Sequence, residues 1–293
     1  MAITVDTKLI PLIGTPLRQS FSPRMQNATY KHLGLDMHYF PLEATSEHLG
    51  DIINGIRHMN IGGFAVTKPN KVEVLQYLDE IDELAQKMGA VNTVTIDQNG
   101  KIKGYNTDGE GAVLDLKTNG NVDIPNTTFF SLGAGGAGRA VCFTLAKYGA
   151  KKIYIASSTG TSAEELAKDL KAAYGTEAEA CKISDTEKML PMVKDSQVVM
   201  NLAGIGMYPN LTETWIDKKE LEAHKPLCYD ATYNPDKTQF LLDAESVGCK
   251  VMNGIGWVVT QGALQIKLWT GKDEPYEFMR KEMAAIVADA AKK

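Results

Sequence analysis

The chain has 293 residues and a formal net charge of −5, with 31 lysines and arginines against 36 aspartates and glutamates. This length allows two domains with a large buried core, and the acidic balance argues against nucleic acid as the main partner, because a phosphate footprint needs a basic face. No apolar run approaches the roughly 20 residues of a membrane span. The N-terminus has no basic stretch followed by an apolar one, so a signal peptide is not expected.

The four cysteines are scattered along the chain and show no spacing typical of a metal site. They are Cys142, Cys181, Cys228 and Cys249, and each falls in an apolar context that predicts a buried free thiol. No metal is expected, and a reducing, cytoplasmic location fits this cysteine usage best.

Strand and helix signals alternate through the first third of the chain. The predicted elements, in chain order, are at 8–14, 22–33, 38–42, 49–59, 63–67, 71–78 and 82–88. Ser22 is predicted to be the N-cap of the first helix, with Pro23 in the first helical position. An Asn-Gly pair at 99–100 is a hairpin signal between strands at 91–96 and 101–105.

The middle of the chain is a series of strand–helix units. They are predicted at 128–132, 139–148, 152–156, 163–173, 178–181, 198–201 and 227–230. Alternating units of this kind imply a doubly wound parallel sheet. A helix at 108–118 is predicted to link the two regions, and of the last two helices, 258–269 and 276–290, at least one is expected to return to the N-terminal domain.

A glycine-rich turn follows the strand at 128–132. Gly133, Gly135 and Gly138 have the spacing of dinucleotide-binding turns, in which the glycines allow a tight turn, a close approach to pyrophosphate and close helix packing. The helix that follows supplies free N–H donors. With a strand before the turn and a helix and strand after it, the pattern predicts a bound dinucleotide rather than an empty turn.

The end of the next strand is where such folds read the adenosine ribose, with an acid for NAD or an arginine for the 2′-phosphate of NADP. The segment Ser157-Ser158-Thr159 offers neither, and no acid or arginine appears before Glu164. The lack of an arginine is the stronger argument of the two, because a 2′-phosphate bound without a positive partner is energetically costly. The sequence therefore favours NAD over NADP.

Two further segments carry polar residues at strand-to-helix junctions. Ser20 and Ser22 could bind a carboxylate through their hydroxyls and the helix N–H groups, although simple capping is favoured on local evidence. Lys71 and Asp108 could move a hydroxyl proton, with the lysine as acid/base and the aspartate orienting it. The local sequence does not say whether these two residues meet.

At these residues the chain resembles the shikimate dehydrogenase family from end to end. The matching motifs, in order, are Gly14-x-Pro16 with Ser20-x-Ser22-Pro23, Val66-Thr67-x-Pro69-x-Lys71, Gly89-Ala90-Val91-Asn92-Thr93, Gly104-Tyr105-Asn106-Thr107-Asp108-Gly109, the glycine turn, Tyr233-Asn234-Pro235 with Thr238, and Asn253-Gly254-Ile255-Gly256 with Gln261-Gly262-Ala263. The quinate/shikimate dehydrogenase branch is the most similar, at Pro23-Arg24-Met25-Gln26-Asn27, Pro69-Asn70-Lys71 and 268–273.

The resemblance implies an α/β fold with an N-terminal substrate domain, a Rossmann dinucleotide-binding domain and a cleft between them. The implied substrate domain is 1–107, completed by C-terminal helices at about 256–293, and the implied Rossmann domain is 108–255. The implied reaction is the reversible NAD(P)-dependent oxidation of the C3 hydroxyl of shikimate or quinate, a cyclic hydroxy carboxylate, in aromatic amino acid or quinate metabolism.

The resemblance also implies roles for individual residues. Lys71 would be the acid/base, supported by Asp108, and Ser20 and Ser22 would bind the substrate carboxylate, which reverses the local interpretation. The other residues implied to contact or border the substrate are Tyr39, Thr67, Asn92, Tyr233 and Gln261. Those implied to surround the dinucleotide are Gly133, Ala134, Gly135, Gly136, Ala137, Gly138, Ser157, Ser158, Thr159, Asn201, Gly204, Met207, Tyr233 and Gly254.

Several positions depart from the family pattern. Gln19 stands where a histidine is usual, Ala65 replaces a common asparagine, and Ser158 takes the place of the arginine of NADP-dependent members. Trp257 replaces a methionine expected near the nicotinamide. These changes leave open whether the substrate is quinate, shikimate or a related compound of aromatic or aminocyclitol metabolism.

A ligand-sensing regulator that kept the fold and lost catalysis is the alternative from another class. The intact Lys71 and Asp108 and the lack of a basic patch argue against it. No sequence signal specifies the assembly, and a homodimer is the working expectation.

Overall fold

The computed structural model describes residues 3–18, 20–273 and 275–290. These residues form two compact units, one from the described parts of Met1–Thr107 and Val258–Lys293 and the other from Asp108–Trp257. Within the described ranges, no helix is both long enough and apolar enough to cross a membrane.

The first unit is built on a mixed six-stranded sheet. Its elements up to residue 105 are β1 (Lys8–Gly14), α1 (Ser22–His32), β2 (Met37–Glu43), α2 (Leu49–Ile56), β3 (Gly63–Val66), β4 (Glu80–Ile81), α3 (Glu83–Met88), β5 (Thr93–Ile96) and β6 (Ile102–Tyr105), with 3₁₀ helices at Ser46–His48 and Glu73–Tyr77. The strand order is β2-β1-β3-β5-β6-β4, and β5 runs antiparallel to both β3 and β6. The ends of β1, β3 and β6 and the start of β5 therefore lie along one edge of the sheet.

The core of this unit forms where α2 covers the sheet. Ile13, Phe64 and Val94, from three neighbouring strands, pack with Leu49 and Ile53 of α2, and all five are fully buried. Burying each such side chain stabilises the fold by about 1.5–3 kcal/mol. The sheet edge that carries the polar residues is therefore part of a rigid scaffold.

The second unit is a parallel sheet with helices between its strands. Its elements, starting one residue earlier with α4, are α4 (Thr107–Thr118), a 3₁₀ helix (Ile124–Asn126), β7 (Thr128–Leu132), α5 (Gly136–Lys147), β8 (Lys152–Ser157), α6 (Thr161–Tyr174), β9 (Ala178–Lys182), α7 (Thr186–Lys194), β10 (Val198–Asn201), α8 (Lys219–Glu222), β11 (Leu227–Asp230), α9 (Gln239–Ser246) and β12 (Val251–Met252). The order is β12-β11-β10-β7-β8-β9, with every pair parallel. This confirms the predicted doubly wound sheet and places its switch point between β7 and β10.

Two helices complete the described chain, α10 (Ile255–Thr270) and α11 (Tyr276–Ala290). From Val258 onward both belong to the first unit. The ring of His32 in α1 stacks on Phe278 of α11 with centroids 3.9 Å apart. A Cβ on Gly262 of α10 would lie 2.8 Å from Met25 Cε, so α10 packs closely on α1 at this position.

Ser22 is not the N-cap of α1, contrary to the sequence prediction. Phe21 is the N-cap, with φ −88° and ψ −9°, and no side-chain capping bond forms at this helix start. Because the backbone at Phe21 is already helical, its carbonyl accepts the first helical bond, from Met25 N at 3.2 Å. Ser22 is consequently the first residue inside the helix.

Several other predicted helix boundaries are also wrong, among them the start of α10, which lies at Ile255 rather than 258. The segment 71–78 is a 3₁₀ helix at Glu73–Tyr77, because the Lys71 carbonyl accepts from Val91 N at 2.8 Å instead of joining an α-helical ladder. Helix α5 begins at Gly136 rather than 139. Helix α2 ends at Ile56 rather than 59, where hydrogen bonds between residues three apart close its last turn.

All four cysteines are buried free thiols, as predicted. Burial raises the pKa of the Cys142 thiol to about 12 and also raises the pKa values of Cys181, Cys228 and Cys249. Thiols of this kind stay protonated at neutral pH and behave as small apolar side chains.

Candidate active site

Gly14 and Thr67 meet where β1 and β3 end. The two strands are parallel with Ile13 opposite Val66, so the next residues along each strand are neighbours. A Cβ on Gly14 would lie 2.5 Å from Thr67 Cγ2 and 2.6 Å from Lys68 O, which is why only glycine fits there. Thr67 N donates to Ile13 O at 2.9 Å, and this bond holds the half-buried threonine at the sheet edge.

Lys71 follows this strand end and is anchored through its main chain. Its carbonyl accepts from Val91 N at 2.8 Å, and Val66 N donates to Asn92 O at 2.8 Å. The segment that carries Lys71 is thereby fixed alongside the segment that carries Asn92. The Lys71 side chain is half-buried, and the fold brings Thr67, Lys71 and Asn92 to the same sheet edge.

Asn92 is buried and holds the turn that leads into α4. Its Oδ1 accepts from Thr107 N at 2.8 Å, and its Nδ2 donates to Thr107 Oγ1 at 3.0 Å. Thr93 Oγ1 donates to the same Oδ1 at 2.8 Å. Sequence reasoning identified Asn92 but missed Thr93 and Thr107 as its partners, although both lie inside the motifs that carry the family resemblance.

Gln261 lies one helical turn before Gln265, which is hydrogen-bonded to Thr93 next to Asn92. Gln265 Nε2 donates to Thr93 Oγ1 at 3.0 Å, and residues four apart share a helix face. Gln26 of α1 donates to Gln265 Oε1 at 3.1 Å and to Gly262 O at 3.2 Å. These bonds fix α10 so that Gln261 lies on the helix face that turns towards Thr93.

The predicted carboxylate site lies at the start of α1. Ser20 and Ser22 are half-buried, and Ser20 N donates to Leu17 O at 2.9 Å. Gln19, which was noted as a departure from the family pattern, lies outside the described residues. Tyr39 on β2 is 2% exposed, and burial raises the pKa of its hydroxyl well above the ordinary tyrosine value. Its side chain therefore belongs to the packed interior of the first unit.

The glycines of the turn after β7 serve different steric purposes. Gly133 has φ +115°, and a Cβ there would come within 2.9 Å of Ala203 N. A Cβ on Gly138 would lie 1.9 Å from Gly133 O, so α5 can pack onto β7 only with glycine at this position. A Cβ on Gly135 or Gly136 meets nothing within 4 Å, so this part of the turn is open. Helix α5 starts here with its first N–H groups uncapped by a side chain, which suits a pyrophosphate.

Asn201 lies at the end of β10, opposite the last residue of β7. It is fully buried, and its Nδ2 donates to Ile205 O and to Asp230 Oδ2, both at 2.8 Å. Among the described residues its Oδ1 has no hydrogen-bond partner. A buried acceptor without a partner beside the glycine turn fits a ligand that carries hydroxyl and amide donors, as a dinucleotide does.

Gly204, Met207, Tyr233 and Gly254 lie in the loops after β10, β11 and β12. Gly204 has φ +75°, and a Cβ there would lie 3.0 Å from Met207 Sδ. A Cβ on Gly254 would lie 2.1 Å from Ala231 O, so this loop also needs glycine for close packing. Since all strands of the sheet are parallel, these loops and the glycine turn share the carboxyl edge of the sheet.

The turn after β8 carries the residues expected to read the adenosine ribose. Ser157 is buried and its Oγ accepts from the main-chain N–H of Gly160 at 3.1 Å, while Ser158 and Thr159 are exposed. Arg139 of α5 forms an ion pair with Asp169 of α6 at 2.7 Å, and this pair holds the guanidinium against α6. The turn thus presents hydroxyl groups to a ligand, without a guanidinium of its own.

Asp108 is half-buried in the first turn of α4. Its carbonyl accepts from Trp257 Nε1 at 2.7 Å, a contact within the second unit. Asp108 and Trp257 are also the first and last residues of that unit. The tryptophan that departs from the family pattern therefore binds the main chain of the predicted catalytic aspartate.

Residues 12–94 match the family model of the shikimate dehydrogenase substrate binding domain, and residues 129–219 match that of the saccharopine dehydrogenase NADP binding domain. A shikimate dehydrogenase (NADP(+)) from Methanocaldococcus jannaschii is 41% identical over 280 residues, which cover 95% of this chain and 96% of that protein.

Two solved structures are similar over nearly the whole chain. Shikimate 5-dehydrogenase from Listeria monocytogenes, in complex with shikimate and NAD, has a TM-score of 0.91 at 35% identity, covering 96% of this chain and 98% of that one. Quinate dehydrogenase from Corynebacterium glutamicum, in complex with NAD, has a TM-score of 0.86 at 27% identity, covering 95% and 99%.

One unit of the chain is a parallel sheet with a glycine turn at its switch point, and the other is an α/β unit with a polar sheet edge. Together they define a two-domain NAD(P)-dependent dehydrogenase that acts on a CH–OH group. The identity and coverage of the relatives make the assignment more specific. The chain belongs to the shikimate dehydrogenase family.

Proposed function

We propose that the chain catalyses the reversible oxidation of the C3 hydroxyl of shikimate or quinate to the 3-dehydro compound, with NAD or NADP as the hydride acceptor. The three relatives described above are named for shikimate or quinate, and the Listeria structure holds shikimate with NAD. The substrate is thus a cyclic hydroxy carboxylate of aromatic amino acid or quinate metabolism.

The observation that carries this proposal is the set of polar side chains along one edge of the first sheet. Thr67, Lys71 and Asn92 come from two segments that main-chain hydrogen bonds hold together. Gln261 comes from the helix that is bonded to the neighbouring strand. Hydroxyl, amide and ammonium groups on one edge suit a ring with several hydroxyls, because each ring hydroxyl needs a partner when it leaves water.

Oxidation removes a hydride from the carbon and a proton from its hydroxyl. The dinucleotide, when bound by the glycine turn and the Asn201 region, supplies the hydride acceptor. Lys71 Nζ takes the hydroxyl proton as the C–H bond breaks and returns it when the ketone is reduced. Asp108 orients that hydroxyl, while Ser20 and Ser22 hold the carboxylate.

Of the two cofactors, NAD is the proposed preference. The turn after β8 offers the hydroxyls of Ser158 and Thr159, and Arg139 is ion-paired with Asp169. A 2′-phosphate without a bidentate guanidinium gains little over a free ribose hydroxyl. Initial rates should give a higher kcat/KM with NAD than with NADP, and a tenfold advantage for NADP would contradict the preference.

Lys71→Ala tests the proton-transfer role. Loss of general acid–base catalysis lowers kcat by about 10²–10⁴-fold, and substrate KM should change far less because the hydroxyl and carboxylate contacts remain. Lys68→Ala, which removes an exposed lysine of the same segment, is the matched control and should keep wild-type rates. Wild-type turnover in Lys71→Ala would refute the assigned role.

The substrate is tested by crossing quinate and shikimate with NAD and NADP. A high kcat/KM on at least one of the two acids supports the proposal. Similar poor rates on both, with a high rate on an amino analogue or another cyclic hydroxy acid, would favour the alternative substrate that Trp257 suggests. Tight binding of shikimate or quinate without turnover would instead favour a ligand-sensing regulator.

We also propose a reducing, cytoplasmic setting and a homodimeric assembly. The four buried free thiols support the first, since none is paired in a disulfide. Sedimentation velocity tests the second, and a monomer at assay concentrations would exclude the dimer without affecting the proposed reaction.

A further inference from the structure

The strongest unexplained feature of the second unit is the hydrogen bond from Trp257 Nε1 to the carbonyl of Asp108. It is 2.7 Å long and joins residues 149 positions apart. Trp257 is only 7% exposed, so water does not compete well for the indole N–H. A methionine, which the family resemblance leads one to expect here, has no donor and could not form this bond.

Trp257 is itself held in place from two sides. Its ring stacks on Tyr229 with centroids 6.3 Å apart and an interplanar angle of 28°. The Tyr229 hydroxyl donates to Asp115 Oδ2 at 3.0 Å, and Asp115 lies two turns after Asp108 on α4. A Cβ on Gly256 would lie 2.1 Å from Asp115 Oδ1, so only glycine lets this segment approach the helix. Trp257 and Tyr229 therefore fix α4 at two points.

The start of α4 needs such support because of its own sequence. Gly109 lies in the first turn and Gly111 directly follows it, and each glycine weakens a helix by about 1 kcal/mol relative to alanine. Gly109 cannot be replaced by a larger residue, since a Cβ there would lie 2.1 Å from Thr144 Oγ1 and 2.4 Å from Ala140 O. The turn that carries Asp108 is intrinsically weak, and the indole N–H is a contact that compensates for this weakness.

We propose that Trp257 is a positioning residue for Asp108. It acts through the Asp108 carbonyl, by fixing the orientation of the first turn of α4 and hence the direction in which the Asp108 carboxylate points. The inference rests on the proposed function, because it takes Asp108 to be the group that orients the substrate hydroxyl. Small displacements of such a group are expensive, since about 1 Å of misplacement can cost up to ~10²-fold in rate.

Trp257→Phe is the direct test, because it keeps an aromatic ring against Tyr229 and removes only the donor. We expect kcat to fall by about tenfold or more while the KM for the dinucleotide stays within about twofold. Trp215→Phe is the matched control: the Trp215 indole N–H is buried without a partner among the described residues, so its removal breaks no hydrogen bond. Trp257→Met is the second variant and should behave like Trp257→Phe.

Two measurements separate positioning from general stabilisation. Amide hydrogen exchange across α4 should rise in Trp257→Phe and not in Trp215→Phe, with the remaining strands of the second unit unchanged. In an Asp108→Ala background, Trp257→Phe should cost little further activity, because residues that act as one unit give non-additive losses.

The outcomes are distinguishable from those of the proposed function. Wild-type kcat in folded Trp257→Phe and Trp257→Met, or full additivity with Asp108→Ala, would overturn the positioning role alone. Wild-type turnover in Asp108→Ala by itself would overturn the role of Asp108 in the proposed function. Global exchange in both Trp257 variants would show a purely structural role and would also overturn the inference.

Discussion

Asn201 donates a 2.8 Å hydrogen bond from Nδ2 to Asp230 Oδ2, and this bond joins the carboxyl ends of β10 and β11. Asp230 is fully buried and accepts two more bonds, from Thr238 Oγ1 at 2.7 Å and from Thr232 N at 2.8 Å. Burial raises the pKa of the Asp230 carboxyl, and the three donors oppose that rise. One carboxylate thus fixes the loops that follow β10 and β11.

Asp230→Asn should weaken the second unit. In either orientation its amide would place an N–H against a donor, which leaves a buried group unsatisfied and lowers the free energy of unfolding by about 1–3 kcal/mol. Dinucleotide affinity should fall as well, because Asn201 loses its anchor. Urea unfolding and fluorescence titration with NAD measure the two effects, with the exposed Glu222→Gln as control. Unchanged values for both would show that the network does not hold the loops.

Gly135→Ala and Gly138→Ala should have different defects, the first in dinucleotide binding and the second in folding stability. A Cβ on Gly135 meets nothing within 4 Å, so that variant should fold normally and lose affinity for the dinucleotide, whose pyrophosphate needs the open space. A Cβ on Gly138 would lie 1.9 Å from Gly133 O, so that variant should be destabilised even without ligand. Thermal unfolding with and without NAD separates the two. The idea fails if Gly135→Ala binds NAD like the wild type.

Ser22→Ala should change binding without changing stability. Loss of a capping serine typically costs about 1 kcal/mol, but no side-chain capping bond forms at the start of α1. The unfolding midpoint should therefore stay at the wild-type value, while the KM for shikimate or quinate rises. Thr29→Ala offers a contrast, because Thr29 Oγ1 donates to Met25 O at 2.8 Å in the buried part of the same helix. A lower midpoint with unchanged KM in Ser22→Ala would indicate a capping role instead.

Asp79 should contribute a pH-dependent part of the stability of the first unit. Two Arg57 bonds, at 2.8 and 3.1 Å, and one from Ile102 N at 2.7 Å lower the pKa of its carboxyl. A lowered pKa means that the stabilisation is present above the ordinary aspartate value of about 3.9 and is lost as pH falls through the folded-state value.

Asp79→Asn is accordingly expected to lower the free energy of unfolding at neutral pH by at most about 1 kcal/mol, since the pair is partly exposed, with side-chain accessibilities of 26% and 36%. The difference from the wild type should shrink below about pH 4. Urea unfolding across this pH range measures it, with the exposed Glu47→Gln as control. A difference that grew on acidification would contradict the sign of the pKa shift.

Lys182 should contribute to any binding of NADP beside the proposed preference for NAD. It lies opposite Ser157 in the sheet register, and its Cβ would be 3.4 Å from a Cβ on Gly160. An exposed ammonium near a 2′-phosphate is worth roughly 0–1 kcal/mol, so Lys182→Ala should weaken binding of 2′-phosphorylated ADP up to about fivefold and leave ADP unchanged. Lys171→Ala, at the other end of α6, is the control. Equal losses for both ligands would rule out this role.

Much of the fold follows from local patterns. The strands β1, β7, β10 and β11 have the predicted bounds, because an apolar run between turn residues suffices to specify a buried strand. The spacing of Gly133, Gly135 and Gly138 likewise predicts the turn, since the steric reason for each glycine lies within the turn and the segments next to it. The motifs around Lys71 and Asp108 identified the family, because several motifs that occur in the same order along the chain are unlikely to match by chance.

Two predicted helix starts were wrong because local residue types do not specify the backbone conformation or the hydrogen-bond partner there. Ser22 was predicted to cap α1, but the conformation of Phe21 moved the helix start. Lys71 was predicted to begin a helix, but its carbonyl is bonded to Val91. The first outcome depends on the backbone conformation of one residue, which the residue types do not reveal, and the second depends on a hydrogen-bond partner from another segment.

The sequence by itself determined the alternation of strands and helices, the dinucleotide turn and the family, but it did not predict α7, α8, α9, β4 or β12. Only the tertiary structure decided which side chains hold the site: Asp230 between two loops, and Trp257 on the carbonyl of Asp108. The physical reason is the distance along the chain over which each kind of interaction acts. Periodicity and turn chemistry act over a few residues, whereas a hydrogen bond between residues 149 apart exists only once packing has brought α4 and the start of α10 together.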